Sequence, residues 1–364
     1  MKAVILVGGE ATRLRPLTYT MPKAMVPVLN TPFLEHVIRH LSSHRERDIV
    51  LAQSYFSPLI TDYFGDGSRF GIKLTYEVED TPLGTAGAVK NAEKYLDQTF
   101  LVLNGDIFTD PDITAMIAYH RERKAKATIA LTPVDDPSSY GLVETGSGDR
   151  VTRFLEKPSR DQITTNMINA GTYILEPDVL SPIPSQSSFS FERELFPLLL
   201  EQGEPVYAYP STAYWIDIGT PEKYLQLHQD LLSGNSTQHS HPIGEEVIVG
   251  EQSFIDPTAQ IKGPVLIGSN CTIGRRVKLI GPVVIGADSL ISEDAVVETS
   301  IIWRNAQLGQ GVNLRDSIIA DNCHLDANSV VHGSVLGDNV TVVSGGKPES
   351  GSRILPGTVV KPES

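Results

Sequence analysis

The sequence carries only two cysteines, Cys271 and Cys323, in 364 residues. That is too few for a disulfide framework or a cysteine-built zinc site. Nor does any apolar run approach the roughly 20 residues that a membrane span requires. Met1-Lys2 leads straight into an apolar strand pattern, without the basic, apolar and small-residue segments of a signal peptide. The expected location is the cytoplasm. Positive charge is also scarce: 30 Lys and Arg stand against 44 Asp and Glu, a formal charge of −14. This balance repels nucleic acid and anionic membranes, so any polyanion the protein binds has to be met by a local cluster of cations together with a metal ion.

Such a cluster lies at the start of the chain. In "KAVILVGGEATRLRPLTYTMPKAMVPV", residues 2–28, five apolar residues run into Gly8-Gly9, followed by Arg13, Arg15 and Lys23. Up to about residue 232, apolar runs such as "DIVLAQ" and "TFLVLNGD" alternate with amphipathic stretches such as "FLEHVIRHL" and "ITAMIAYHRER". Continuous apolar runs suit strands covered on both faces, and the alternation predicts βαβ units in a doubly wound, mostly parallel α/β sheet. Thr31-Pro32 reads as a helix N-cap and first helical residue. His120, on an apolar helix face, reads as a packed or capping residue.

Residues 233–242, "SGNSTQHSHP", read as a linker. Beyond it Val249, Ile255, Ile261, Ile267, Ile273, Leu279, Ile285, Ile291 and Val297 recur every six positions. After one-residue slips the beat continues through Ile302, Leu308, Leu314, Ile319, Leu325, Val331, Leu336 and Val342. No helix of period 3.6 and no single strand repeats in this way. The pattern predicts a left-handed parallel β-helix of hexapeptide repeats over residues 243–364, after the doubly wound α/β domain over 1–232. Three hexads make a coil, and about five coils are expected. Cys271 and Cys323 are nine hexads apart, three coils or about 14 Å, beyond disulfide reach. Trp303 interrupts the beat near a slip and reads as a loop or contact surface. The Gly/Pro-rich stretch 345–364 reads as the closing end of the solenoid.

In a doubly wound sheet, ligands lie beyond the carboxyl ends of the strands, where Gly8-Gly9 falls. The loop matches neither G-x-G-x-x-G nor G-x-x-x-x-G-K-[ST], which disfavours dinucleotide binding and the usual ATPase cradle. Arg13 offers a planar fork for phosphoryl oxygens and Lys23 a compact charge. The competing reading is of three solvated loop charges.

The run Gly8-Gly9-Glu10-Ala11-Thr12-Arg13-Leu14-Arg15-Pro16-Leu17-Thr18, followed by Pro22-Lys23, resembles the sugar-1-phosphate nucleotidylyltransferases. Ala11 departs from the family's usual Gly. If that position needs positive φ, Ala costs about 1 kcal/mol. "LVLNGDIF", "FLEKP", "INAGTYIL" and "YWIDIGTPEKY" fit the same family. The resemblance makes Arg13, Lys23, Asp106 and Asp217 the catalytic residues, with Asp106 and Asp217 facing one Mg²⁺, a hard cation that takes oxygen ligands. It assigns Leu6, Gly8, Gly9, Glu79, Gly84 and Thr85 to the nucleotide. It gives Lys157 to the phosphate of the sugar 1-phosphate, and Glu156, Asn169, Gly141 and Gly171 to the sugar.

Thymidylyl-transferring relatives carry Gln where this chain has Glu79. A carboxylate accepting two bonds suits the adjacent N1–H and N2–H₂ donors of guanine, whereas an amide suits thymine or uracil. With "PLGTAG" and "FERELFP", the chain looks most like the guanylyl-transferring branch that uses mannose 1-phosphate. The expected partners are therefore a nucleoside triphosphate and a sugar 1-phosphate, with a homo-oligomer formed through the β-helix and no nucleic acid or membrane. Three alternatives stand beside this reading: a uridylyl- or thymidylyltransferase acting on glucose 1-phosphate, a non-catalytic nucleotide-sugar sensor, and a β-helix acyltransferase drawing on His324 or His332.

Overall fold

The computed structural model describes residues 1–54, 57–234 and 246–362. The chain forms two compact units, Met1–Gly9 with Leu34–Trp215, and Glu10–Phe33 with Ile216–Ser364. Residues 235–242 of the expected linker lie outside the described residues. Among the described residues no helix is long and apolar enough to cross a membrane.

In the first unit, strand Lys2–Val7 pairs in parallel with Asp48–Gln53 on one side and Phe100–Asn104 on the other, and Lys73–Val78 pairs in parallel beyond Asp48–Gln53. Ala3, Val4 and Ile5 are fully buried. A strand covered on both faces has no solvent side, so the run shows no polar alternation. This is the parallel, Rossmann-like centre that the apolar runs predict. Beyond it, Met167–Leu175 pairs antiparallel with both Phe100–Asn104 and Ala127–Pro133, while Val206–Pro210 pairs in parallel with Ala127–Pro133. The reversal left no trace in the sequence, because strand direction does not alter apolar periodicity.

Helix Ile113–Arg123 starts where Asp112 accepts a bond from the Ala115 amide at 2.9 Å, and its last turn carries Arg121 and Arg123. Both features complement the helix dipole. His120 is packed, as expected: Nδ1 meets Thr128 Oγ1 at 2.8 Å and Nε2 meets Glu176 Oε1 at 3.2 Å.

Most of the second unit is the hexapeptide domain. Its strands stack in parallel into three sheets, two of seven strands and one of five, consistent with a left-handed β-helix. The pairing register aligns Val249, Ile267, Ile285, Ile302, Ile319, Leu336 and Ile354 on one face, so the hexad residues are the ones in register. Seven rungs exceed the expected five, because Arg353–Ile354 and Val359–Val360 continue two of the sheets. Residues 345–362 thus add a rung. One corner of the coil is left-handed at Asn270, Asp288, Asn305, Asn322 and Asn339, with φ between 56° and 62°. Asn and Asp tolerate this region best among residues with a Cβ.

Cys271 and Cys323 are free and buried, three rungs apart by register. Each thiol donates to a backbone carbonyl at 3.2 Å, of Gly286 and Gly337 respectively. Burial pushes the Cys323 thiol up to about 12, which makes it inert as a nucleophile.

The loop between Glu10 and Phe33 belongs to this unit. Thr31 and Pro32 do not cap a helix. They pair with Pro27 and Val28 around a two-residue turn at Leu29 and Asn30, with φ of 47° and 63°, and helix Phe33–Ser43 begins afterwards. Two consecutive left-handed residues are the geometry of a tight hairpin. Helix Pro221–Leu232 is capped by Thr220 and buries Tyr224, Leu227, His228 and Leu231. Trp303 is buried and donates its indole N–H to Tyr224 Oη at 3.0 Å. The interruption in the hexad beat is therefore a contact surface, the one between the β-helix and this helix.

Candidate active site

A cleft of about 350 Å³ opens in the first unit at the carboxyl ends of the parallel strands, lined by Leu6, Gly8, Gly9, Glu79, Gly84, Thr85, Asn104 and Asp106, among others. The structure thus brings together every residue that the sequence assigns to the nucleotide, and adds Asp106. Gly9 has φ +88°, and its amide donates to Ser54 Oγ at 3.2 Å. A Cβ on Gly8 would stand 3.0 Å from that same hydroxyl. The two glycines therefore let the backbone turn over the strand end while passing close to Ser54.

Gly84 has a different reason to be glycine. Its φ is +69°, and a Cβ there would stand 2.9 Å from the Phe189 carbonyl. That carbonyl accepts from the amides of Ala86 and Gly87 at 2.9 and 3.0 Å. The start of helix Gly84–Asn91 is thus clamped to residue 189. Glu79 Oε2 accepts from the Leu83 amide at 2.8 Å, closing a turn over residues 79–83, and burial raises its carboxyl above the usual range. One of its two oxygens already serves the backbone, so a ligand would be met chiefly by Oε1.

Asp106 is placed by a glycine that the sequence reading passed over. The Gly105 amide donates to the Leu6 carbonyl at 2.9 Å, and a Cβ on Gly105 would lie 2.5 Å from that oxygen. No other residue fits between the strand end and Asp106. The "NGD" in the sequence was the available signal. Asn104 also went unassigned, although it lines the cleft.

The sugar-assigned residues lie on neighbouring antiparallel strands of the same unit. Gly141 pairs with Glu156, and a Cβ on Gly141 would meet the Glu156 carboxylate at 3.0 Å. Burial raises the Glu156 carboxyl, and the charge of Glu192 adds to the effect. Gly171 has φ +73° and lies in the register break between Asn169 and Tyr173. Both ends of the Asn169 amide are engaged within the protein. Oδ1 accepts from the Gly171 amide at 2.9 Å, and Nδ2 donates to Tyr173 Oη at 2.7 Å. Tyr173 Oη in turn donates to Glu192 Oε1 at 3.3 Å, and Glu192 Oε2 accepts from Thr85 Oγ1 at 2.9 Å. Asn169 and Thr85, assigned to different substrates, are thus the ends of one hydrogen-bonded chain. Tyr173 and Glu192 went unassigned, because residues far apart in sequence leave no spacing to read. Lys157 is exposed, with φ +50°.

In the second unit, Asp217 stands between two cations. Its Oδ1 lies 3.3 Å from Lys23 Nζ and its Oδ2 lies 3.6 Å from Arg13 Nη2. Lys23 is only 9 % exposed, whereas the Arg13 side chain is 69 % exposed. The competing reading of solvated loop charges fails for Lys23, because a buried ammonium needs a partner. Gly219 makes the approach possible: a Cβ there would lie 2.8 Å from Arg13 Nη2 and 3.0 Å from Asp217 Oδ1. Two cations around one carboxylate leave a net positive charge for an anionic ligand. Among the described residues no three His, Cys, Asp or Glu side chains cluster to hold a metal by themselves. Asp217 offers carboxylate oxygens, the donor type that a hard ion takes together with phosphate and water.

Ala11 adopts the left-handed conformation, with φ 46° and ψ 43°. Its carbonyl accepts from Thr18 Oγ1 at 2.9 Å and from the Leu14 amide at 3.0 Å. The strain that the sequence raised is therefore present. It costs roughly 1–2 kcal/mol, against about 0.4–1 kcal/mol of added chain entropy on going to Gly. Ala11→Gly should stabilise the protein by about 0.5–1 kcal/mol, seen as a higher urea midpoint. An unchanged or lower midpoint would show that the turn is relaxed with Ala.

The family model described as Nucleotidyl transferase matches residues 2–234, and one described as GMPPB C-terminal domain matches residues 261–362. The chain is similar to a mannose-1-phosphate guanyltransferase of Yarrowia lipolytica, at 38 % identity over 100 % of this chain and 99 % of that one. It is also similar to a UTP–glucose-1-phosphate uridylyltransferase of Synechocystis, at 37 % identity over 88 % of this chain and 87 % of that one. Among solved structures it is similar to HddC from Yersinia pseudotuberculosis complexed with GMP-PN. There the TM-score is 0.55 and the identity 33 %, over 63 % of this chain and 98 % of that one.

Proposed function

Because the chain belongs to the nucleotidyl transferase family, we propose that it joins GTP to mannose 1-phosphate, giving GDP-mannose and pyrophosphate. The observation that carries the nucleotide choice is Glu79, a carboxylate lining the cleft at the turn before Gly84. Support for the sugar comes from the match of residues 261–362 to the GMPPB C-terminal domain and from the mannose-1-phosphate relative.

The phosphate oxygen of the sugar 1-phosphate is already ionised near neutral pH, so the attack needs no general base. That oxygen forms a bond to the α-phosphorus while the bond to the bridging oxygen breaks in line, and pyrophosphate leaves with the electron pair. Arg13 and Lys23 align the phosphates and neutralise charge as it shifts. Lys157 receives the sugar phosphate, and Glu156 with the backbone at Gly141 and Gly171 receives the sugar. Asn169 acts on Gly171 and Tyr173, which its amide holds.

Nucleotidyltransferases of this family generally use a divalent metal. Mg²⁺ is the proposed ion, with Asp106 and Asp217 as its carboxylates. When bound it offsets phosphate charge. A homo-oligomer formed through the β-helix and residence in the cytoplasm, where free thiols such as Cys271 and Cys323 persist, complete the proposal.

The test is a panel of five nucleoside triphosphates against mannose 1-phosphate and glucose 1-phosphate, read by pyrophosphate release. GTP with mannose 1-phosphate should give the highest kcat/KM. The uridylyltransferase relative makes UTP with glucose 1-phosphate the specific competitor. Glu79→Gln should lower kcat/KM for GTP relative to UTP or dTTP by about tenfold, within the ~1–3 kcal/mol of discrimination that a bidentate contact to a base contributes. Unchanged selectivity would remove Glu79 from base reading.

A further inference from the structure

We infer that Arg353, on the last rung of the β-helix, is a positioning residue for the Arg13 loop, so that the end of the solenoid sets the rate of transfer. All of the contacts involved lie within the second compact unit. The Arg353 guanidinium donates through Nη1 to the Arg13 carbonyl at 3.0 Å and through Nη2 to Glu222 Oε1 at 3.1 Å. Glu222 lies in the first turn of helix Pro221–Leu232, five residues after Asp217. Asp217 Oδ2 faces the Arg13 side chain at 3.6 Å. The same residue is therefore held twice, its side chain by Asp217 and its main chain by Arg353, with Glu222 tying Arg353 back to the segment that carries Asp217. Arg353 closes this ring.

The fastening is repeated along the loop. Asn30 Nδ2 donates to the Ile285 carbonyl at 2.9 Å on the third rung. Thr20 Oγ1 donates to Asp338 Oδ2 just after the sixth rung, where Asp338 also accepts from the Asp321 amide at 3.1 Å. Arg353 holds residue 13 on the seventh. From residue 30 back to residue 13 the loop climbs four rungs, about 19 Å at the usual strand spacing. A loop this long, with only short 3₁₀ turns and a two-residue hairpin, would otherwise retain substantial backbone freedom. Among the described residues the β-helix removes that freedom at these points, and Arg353 is the one that holds Arg13.

The Arg353–Glu222 pair is exposed, so its loss should hardly alter stability. Position is different: an arm that shifts by about 1 Å can lose up to a hundredfold in rate. The inference rests on Arg13 serving nucleotidyl transfer, so the intact wild-type chain is assayed first on the substrate panel. Absence of turnover there defeats that reading rather than this one. Given an active wild type, Arg353→Ala should lower kcat about tenfold, with the KM for sugar phosphate and the melting midpoint unchanged. Arg353→Lys should recover part of the rate, because an ammonium retains the charge but not the two-acceptor fork. In an Arg13→Ala background Arg353→Ala should cost nothing further, since the two act as one. A normal kcat, a rate loss matched by a lower melting midpoint, or full additivity with Arg13→Ala would each overturn the inference.

Discussion

Replacing Arg13 with alanine is expected to lower kcat by about 10²–10³, the size of effect seen when one donor to a developing oxyanion is lost, while the KM for sugar 1-phosphate changes little. The direction follows from where Arg13 stands. Its guanidinium is largely exposed and 3.6 Å from the carboxylate that also faces Lys23. An exposed ion pair at that distance contributes under about 1 kcal/mol to folding. The variant should melt with the wild type, so any rate loss belongs to the transferring phosphate. Arg13→Lys should lie between the two, with the charge kept and the planar fork lost. Paired steady-state measurements with each substrate varied in turn provide the check. A near-normal kcat for Arg13→Ala would remove it from the machinery, and a selective rise in the sugar-phosphate KM would move it to the other substrate.

The β-helix was legible almost residue by residue, because a repeat of six forces identical positions into register. Ile267, Ile285 and Ile302 pair as their spacing requires. The central strands were legible from length and flanks: "AVILV" is short, rich in β-branched residues and ends at Gly8-Gly9, which suits a strand without a wet face. What periodicity cannot carry is a bond between single residues far apart in the chain. Nothing local to Arg353 announces that it reaches the carbonyl of Arg13, 340 positions away. Nothing local to Glu192 announces that it joins Thr85 to Tyr173. The motifs assigned Asn169 to the sugar and Gly84 to the nucleotide, and carried no sign of what each touches within the protein. Asn169 spends its amide on Gly171 and Tyr173, and Gly84 is small because the Phe189 carbonyl lies against it. Trp303 shows the intermediate case. Its break in the hexad beat marked a loop or a contact surface, while the choice between them and its partner Tyr224 could only come from the fold.

Asp217→Ala is expected to cost both stability and turnover, and the two losses should separate on substitution by asparagine. Lys23 is nine-tenths buried, with Asp217 Oδ1 at 3.3 Å. Taking a carboxylate from a buried ammonium costs about 3–5 kcal/mol. Lys23 has further interactions, so about 3 kcal/mol is the expected loss in unfolding free energy, read as a lower urea midpoint. Asparagine keeps an oxygen that can accept from Lys23 and should restore roughly half of that loss, the worth of one hydrogen bond to a charged group. Turnover should not follow. A neutral amide neither holds Arg13 and Lys23 with a countercharge nor offers the proposed Mg²⁺ a charged oxygen. Both variants should therefore lose about 10² or more in kcat, and Asp217→Asn should need a higher Mg²⁺ concentration for half-maximal rate. If the asparagine variant turned over normally at ordinary Mg²⁺, Asp217 would be a structural partner of Lys23 alone. If the alanine variant were fully stable, the buried lysine would owe its place to other groups.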